Sequence, residues 1–231
     1  MKIPGIIGGI GPESTIEYYR QVIAAYRART DDGSYPAVVM NSIDMQKMLG
    51  LIGANDLAGV TAYLLAEVQR VARAGADFGV FASNTPHIVF PALQAQSPIP
   101  LISIVEVTCR AASQSGLKRL GLFGAKFTMA GRFYQDVFER AGITLVVPTA
   151  AEQVFISEKY MGELIHGILR PETRTALLAI AERMRTGDKI AGLILGGTEL
   201  PLILRDVTDA GMPFLDTTQL HVAAIVEQMI G

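Results

Sequence analysis

One cysteine, three histidines and a small share of charged residues place several protein classes out of reach of this 231-residue chain. Cys109 stands alone, so it closes no internal disulfide, and the scattered histidines supply no metal-ligand spacing; no metal site is expected. Lysine and arginine number 20 against 22 aspartates and glutamates, and the net charge of −2 comes without a basic run, which argues against nucleic acid as a partner. Although half the residues are hydrophobic, no apolar stretch reaches the roughly 20 residues of a membrane span, so a membrane is not expected as a partner either. Met1-Lys2-Ile3-Pro4 leads directly into a strand pattern without the apolar segment of a secretory signal, and the cytoplasm is the expected compartment.

What the chain does contain is a duplication. Gly5-Ile6-Ile7-Gly8 with Tyr18 downstream returns as Gly121-Leu122-Phe123-Gly124 with Tyr134 at the same interval. Each half later reaches a small-residue turn after an apolar run, Phe81-Ala82-Ser83-Asn84-Thr85 in the first and Leu195-Gly196-Gly197-Thr198-Glu199 in the second. The repeat predicts two similar halves with matching loops facing each other across a cleft.

Short apolar runs at 5–7, 37–40, 78–81, 100–102, 119–123, 143–147, 190–195 and 213–215 alternate with helix-length intervals, which is the pattern of βαβ units. Pro12 suits the first turn of a helix, for which Ile16, Tyr19, Ile23 and Tyr26 form the apolar stripe. Asp56 is placed to cap a helix with Leu57, Val60, Leu64, Val68 and Val71 on one face, ended by Gly75 in a left-handed conformation. In the second half 129–140 reads as one helix ending at Gly142, Pro171 opens another that runs to Gly187, and 105–115 reads as helical. The expected fold class is α/β, two pseudo-symmetric doubly wound parallel-sheet domains with the site at their interface. Residues 1–98 plus 210–231 are assigned to the first domain and 99–209 to the second, the last strand and helix returning to the first half.

In open parallel sheets ligands bind beyond the carboxyl ends of the strands, where both turns fall. Gly8-Gly9-Ile10-Gly11-Pro12-Glu13-Ser14 follows a strand and opens a helix, so Gly9 and Gly11 are candidates to bring backbone N–H groups to a carboxylate or phosphate. It fits a dinucleotide fingerprint poorly: the spaced third glycine is absent, and Asp31-Asp32 reads as a turn rather than a strand end. Ser83, Asn84, Thr85 and His87 gather two hydroxyls, a carboxamide and an imidazole at one strand end; taken alone, the segment reads equally well as an ordinary helix cap. In the second loop Gly197 allows a close backbone approach, Thr198 brings a hydroxyl, and Glu199 a carboxyl group able to give or take a proton; its plainer reading is a cap or solvated turn.

With these motifs in order, the chain resembles the aspartate/glutamate racemase family of cofactor-independent amino-acid racemases over essentially its whole length. The likeness rests on Gly8-Gly9-Ile10-Gly11-Pro12-Glu13-Ser14-Thr15, Asn84-Thr85, and Gly196-Gly197-Thr198-Glu199 followed by Leu200-Pro201-Leu202. The resemblance implies a site at the interface of two pseudo-symmetric α/β domains, a small-molecule carboxylate held by residues matching Asn84, Thr85 and Thr198, and no cofactor. Pyridoxal chemistry would also need a lysine at the site, and neither strand-end loop contains one.

One departure changes the chemistry. Family members commonly carry a cysteine before Asn-Thr and another before Thr-Glu; here those positions are Ser83 and Gly197. A hydroxyl is far less acidic than a thiol, whose ordinary pKa is about 8.5, so Ser83 would need an adjacent base, and Gly197 has no side chain. Cys109 reads as a buried small hydrophobe. Ser83, His87 and Glu199 are therefore the candidate catalytic residues, with Gly9, Gly11, Asn84, Thr85, Gly197 and Thr198 as candidate substrate-binding positions. Lys47 and Lys159 are candidates to recognise a side-chain carboxylate, Phe155 in that region points to a less acidic substrate, and Arg20 and Arg132 read as solvated helix faces. Three functions stay open: a racemase or isomerase without the two-thiol mechanism, an enolate-forming decarboxylase, and a carboxylate-binding protein without catalysis. A homodimer is the expected assembly.

Overall fold

Two parallel sheets with matching strand orders organise the chain. The computed structural model describes residues 1–30, 33–205 and 211–231. Asp31-Asp32, and the 209/210 boundary between the assigned domains, lie outside the described residues. The chain divides into a first unit of Met1–Ile104 with His221–Gly231 and a second of Val105–Leu220.

In the first unit β1 (Pro4–Gly8), α1 (Pro12–Arg27), β2 (Val39–Ser42), α2 (Met45–Gly53), α3 (Leu57–Arg73), β3 (Phe78–Phe81), a 3-10 turn at Thr85–Val89 and α4 (Phe90–Gln96) follow in order. The strands pair in parallel as β2-β1-β3, and Leu101 adds a single parallel bridge to Gly79. All of β1 and β3 is buried, as in a sheet covered on both faces. Asp56 caps α3 by accepting from the Gly59 N–H at 2.8 Å, and Gly75 adopts φ +94° just beyond the helix.

In the second unit come α5 (Ile104–Gln114), β4 (Arg119–Phe123), α6 (Lys126–Ala130), α7 (Phe133–Arg140), β5 (Thr144–Val146), α8 (Ala150–Gly162), a 3-10 turn at Leu164–His166, α9 (Pro171–Gly187), β6 (Leu193–Leu195), α10 (Leu200–Leu204) and β7 (Phe214–Asp216), while α11 (Thr217–Ile230) passes into the first unit at His221. Their parallel order is β5-β4-β6-β7. The duplicated motif has the same packing role in both sheets. A Cβ at Gly8 would stand 2.8 Å from Thr15 Oγ1, and one at Gly124 2.8 Å from the Cβ of Thr128, so each strand end lies against a threonine of the following helix. Tyr18 and Tyr134, the downstream partners, are fully buried.

Several elements differ from the sequence reading. α1 turns Ser14, Thr15, Tyr18, Val22 and Tyr26 inward and leaves Ile16 and Tyr19 half-exposed, because Ser14 and Thr15 tie the first turn to the Gly11 carbonyl at 2.8 and 3.0 Å and so set its rotation. Residues 129–140 are two helices, broken where Gly131 takes an extended backbone. The run at 37–40 gives a strand two residues later, and that at 100–102 only the bridge at Leu101. The last strand does not return to the first sheet: β7 pairs with β6 through Phe214, Leu215 and Asp216. The helix after it does, its Val222, Ile225, Val226 and Met229 joining Ile6, Tyr18, Val22, Phe78 and Val80 in the first unit's core.

Candidate functional site

In the first unit the turn after β1 is closed on itself. Gly9 at φ +80° and Gly11 at φ +94° use backbone conformations that favour glycine, and the Gly9 N–H donates to Thr15 Oγ1 at 2.8 Å. Ser14 Oγ donates to the Gly11 carbonyl at 2.8 Å and lies 3.3 Å from the Ala82 carbonyl, joining this turn to the end of β3. The Gly9 amide thus serves the fold rather than an incoming anion.

Ser83, Asn84, Thr85 and His87 are all buried at the end of β3. His87 Nε2 accepts the Ile104 N–H at 3.3 Å, which fixes the proton on Nδ1, and Nδ1 donates to the Asn84 carbonyl at 3.2 Å. The ring stacks on Phe90 with centroids 4.7 Å apart. Burial, then the neighbouring His221, push the His87 pKa down to about 3, against weaker opposition from the Asn84 and Ser83 carbonyls. Both nitrogens are engaged and the ring is neutral, so the expectation of His87 as a proton carrier gives way to a positioning role: it holds the β3 loop against Ile104. It is equally unavailable as the base that Ser83 would need. His221 is a second neutral clamp, its Nδ1 accepting from the Tyr18 hydroxyl at 2.8 Å and its Nε2 donating to the Ile102 carbonyl at 3.1 Å.

The β6 loop of the second unit carries a buried carboxyl group beside a hydroxyl and a phenol. Thr198 and Glu199 are buried, with Glu199 fully enclosed. Glu199 Oε2 accepts from the Tyr160 hydroxyl in a very short contact and from Thr198 Oγ1 at 3.0 Å. Burial, then the Glu199 charge, raise the Tyr160 pKa well above that of an ordinary phenol. Tyr160 reaches the loop from α8, and a Cβ at Gly197 would lie 3.0 Å from its Cζ and 3.1 Å from its hydroxyl oxygen. Sequence reasoning did not single out Tyr160, which is 39 residues from Glu199. The available signal was indirect: a side-chain-free Gly197 beside a buried acid leaves space that another element must fill.

The remaining candidates have ordinary settings. Lys159 pairs with Glu163 at 2.7 Å, which occupies its charge, and Lys47 lies 4.6 Å from the Tyr63 ring centroid. Arg132 is exposed and paired with Asp136 and Glu139 at 2.9 and 3.0 Å, and Arg20 is exposed. Cys109 is buried with its thiol 3.8 Å from the Val137 carbonyl, and burial pushes its pKa up. Among the described residues no three His, Cys, Asp or Glu side chains are arranged to hold a metal ion, and no helix is long and apolar enough to cross a membrane.

Two α/β units built on parallel sheets, each with a small-residue loop at the carboxyl end of a strand neighbouring the duplicated one, define the class of protein. The chain belongs to the Asp/Glu/Hydantoin racemase family, whose model matches residues 7–225. It is 28% identical to a candidate Asp/Glu racemase from Yersinia pestis over the whole of both chains, with a TM-score of 0.90. An aspartate racemase homologue from Pyrococcus horikoshii is 31% identical, also over all of both chains, with a TM-score of 0.86. Glutamate racemase of Shewanella loihica is 27% identical over 164 residues, a match spanning 68% of this chain and 59% of that protein.

Proposed function

We propose that this protein is a racemase-like isomerase that moves the proton on the α-carbon of a small amino acid or related carboxylic acid without the two-thiol mechanism. The observation that carries the reading is the enclosed carboxyl group of Glu199 at the end of β6, in hydrogen bonds with a phenol and a threonine hydroxyl. A buried ionisable group at a parallel strand end is the kind of acid or base that α-proton chemistry requires. The electron pair left on the α-carbon is delocalised into the substrate carboxylate as an enediolate, which hydroxyl and amide donors stabilise. Thr198 and the backbone at Gly197 are proposed as carboxylate-holding groups of the second unit's loop, Asn84 and Thr85 as those of the first unit's loop, and Ser83 as a polar group there rather than a nucleophile.

A second reading has one observation in its favour. Because both nitrogens of His87 are engaged, Ser83 has no imidazole partner, and proton handling is concentrated on Glu199 and its neighbours. One proton donor suffices for decarboxylation of an activated acid, where the enolate left by loss of carbon dioxide is protonated once. Incubating the protein with L-amino acids, 2-hydroxy acids and substituted malonates in deuterated water, followed by mass spectrometry, separates the two. The isomerase predicts deuterium at the α-carbon with the carbon skeleton intact, and the decarboxylase predicts carbon dioxide release. Neither result across the panel, with carboxylates still raising the melting temperature, would leave a binding protein on this scaffold.

A further inference from the structure

We infer that the Tyr160 hydroxyl is the group that exchanges a proton with the substrate, and that Glu199 takes and returns the proton Tyr160 gives up. The inference rests on the isomerase reading above and assigns its chemistry to a residue outside both glycine-rich loops. Three observations carry it.

The first is position. The tip of the Tyr160 ring lies in the space where residue 197 would present a side chain, with Cζ and the hydroxyl oxygen 3.0 and 3.1 Å from a Cβ there. That space is at the carboxyl end of β6, where parallel sheets receive ligands. The second is the company it keeps. A phenol placed only to fill a gap needs no acid beside it, and enclosing a carboxyl group is costly unless it is well bonded, yet Glu199 is fully buried against that hydroxyl. The third is access: Tyr160 is 8% exposed, against 2% for Thr198 and 0% for Glu199, so Tyr160 is the least enclosed residue of the cluster.

A phenol this resistant to ionisation is a poor base alone, so the transfer is a relay. As the α-proton passes to the Tyr160 oxygen, the hydroxyl proton already there passes to Glu199 Oε2, and the C–H electron pair enters the enediolate. Reversal breaks the bond to Oε2, restores the phenol and re-forms the C–H bond, and solvent deuterium reaches the carbon when a relay proton exchanges with water while the enediolate is bound. No oxidant or co-reactant is consumed, and a proton returned by this relay arrives on the face it left. Inversion requires the planar enediolate to be reprotonated on its other face by a second donor, so exchange with retention is expected to outpace inversion while both depend on Tyr160 and Glu199.

The test is α-deuterium incorporation into the same panel of acids by the full chain and its variants. Tyr160→Phe, which keeps the ring, and Glu199→Gln are each expected to slow exchange by about 100-fold or more. The double variant should be no slower than either single one, since a relay acts as a unit. Glu199→Asp should keep part of the rate, a rescue that packing alone would not produce. Melting temperatures establish that each variant folds, and Glu199→Gln decides if Tyr160→Phe does not. If the parent exchanges and the folded Tyr160→Phe variant matches its rate, the relay falls while the isomerase reading stands. If the parent exchanges nothing, both fall.

Discussion

The ring of Tyr160 fills the side-chain space of Gly197, so the absence of a side chain in the β6 loop and the presence of a phenol on α8 are one packing solution. Glu199 completes it by accepting from the Tyr160 hydroxyl.

Substituting either side of that contact should affect the other. Gly197→Ala places a methyl group against a buried ring and is expected to cost about 1–3 kcal/mol in urea denaturation, the usual range for overpacking. Tyr160→Ala opens that space, so the double variant should be more stable than the sum of the single losses predicts, by about 0.5–3 kcal/mol. Additive losses would show that the two positions do not share this space. The same reasoning says that a Gly197→Cys replacement needs a smaller residue at 160 to seat its thiol.

Stability should fall between neutral and mildly acidic pH because of two buried imidazoles. The folded first unit holds His87 down to about 3 and His221 down to about 4, against 6.5 ordinarily. Below pH 6.5 the unfolded chain takes up protons that the folded chain refuses. The stabilisation is therefore complete above 6.5 and drains away as the pH falls toward the folded values. Over that whole interval each histidine accounts for something on the order of 3–5 kcal/mol. Denaturation midpoints from pH 7 to pH 5 sample this interval above the ordinary carboxylate range. His87→Asn should lower the midpoint at pH 7 and flatten the slope, and a midpoint that rose on acidification would refute the assignment.

Gly9→Ala tests the turn after β1 apart from catalysis. The position is held at φ +80°, and a Cβ there would meet the Ile43 carbonyl oxygen at 2.5 Å and the Ile43 nitrogen at 2.6 Å, both backbone atoms. Backbone strain of about 1–3 kcal/mol adds to a clash with atoms that cannot rotate away. A loss above 3 kcal/mol, or failure to fold, is expected, and a loss under 1 kcal/mol would mean that the turn relaxes easily.

Local features of the sequence carried over well where the physics is local. Pro12 and Pro171 open helices, Asp56 caps α3, and Gly75 and Gly142 stand in left-handed conformations just after helices, because each depends on one residue's torsions or one short hydrogen bond. The rotation of α1 did not carry over, since Ile16 and Tyr19 make as regular a stripe as Tyr18 and Val22. Hydroxyls reaching Gly11, together with the packing of α11, select between the two. The partner of the last strand was equally ambiguous: an apolar run of three residues suits either sheet, and its register against β6 is a long-range choice.

The candidate site divides along the same line. The strand-end positions of Ser83, Asn84, Thr85, Gly197, Thr198 and Glu199 were legible because a strand followed by a small-residue turn has a definite place in a parallel sheet. Their partners were not. His87 reads as a titratable group until Ile104 and Asn84 are seen to occupy both nitrogens, and Tyr160, which belongs to no motif, stands out only when the fold sets its hydroxyl against Glu199. The amino-acid sequence by itself determined the duplication, the βαβ order and the absence of a second thiol, all of which are properties of the chain. Only the tertiary structure decided which buried polar groups meet, because burial and hydrogen bonding depend on distances that close after residues far apart in the chain have packed together.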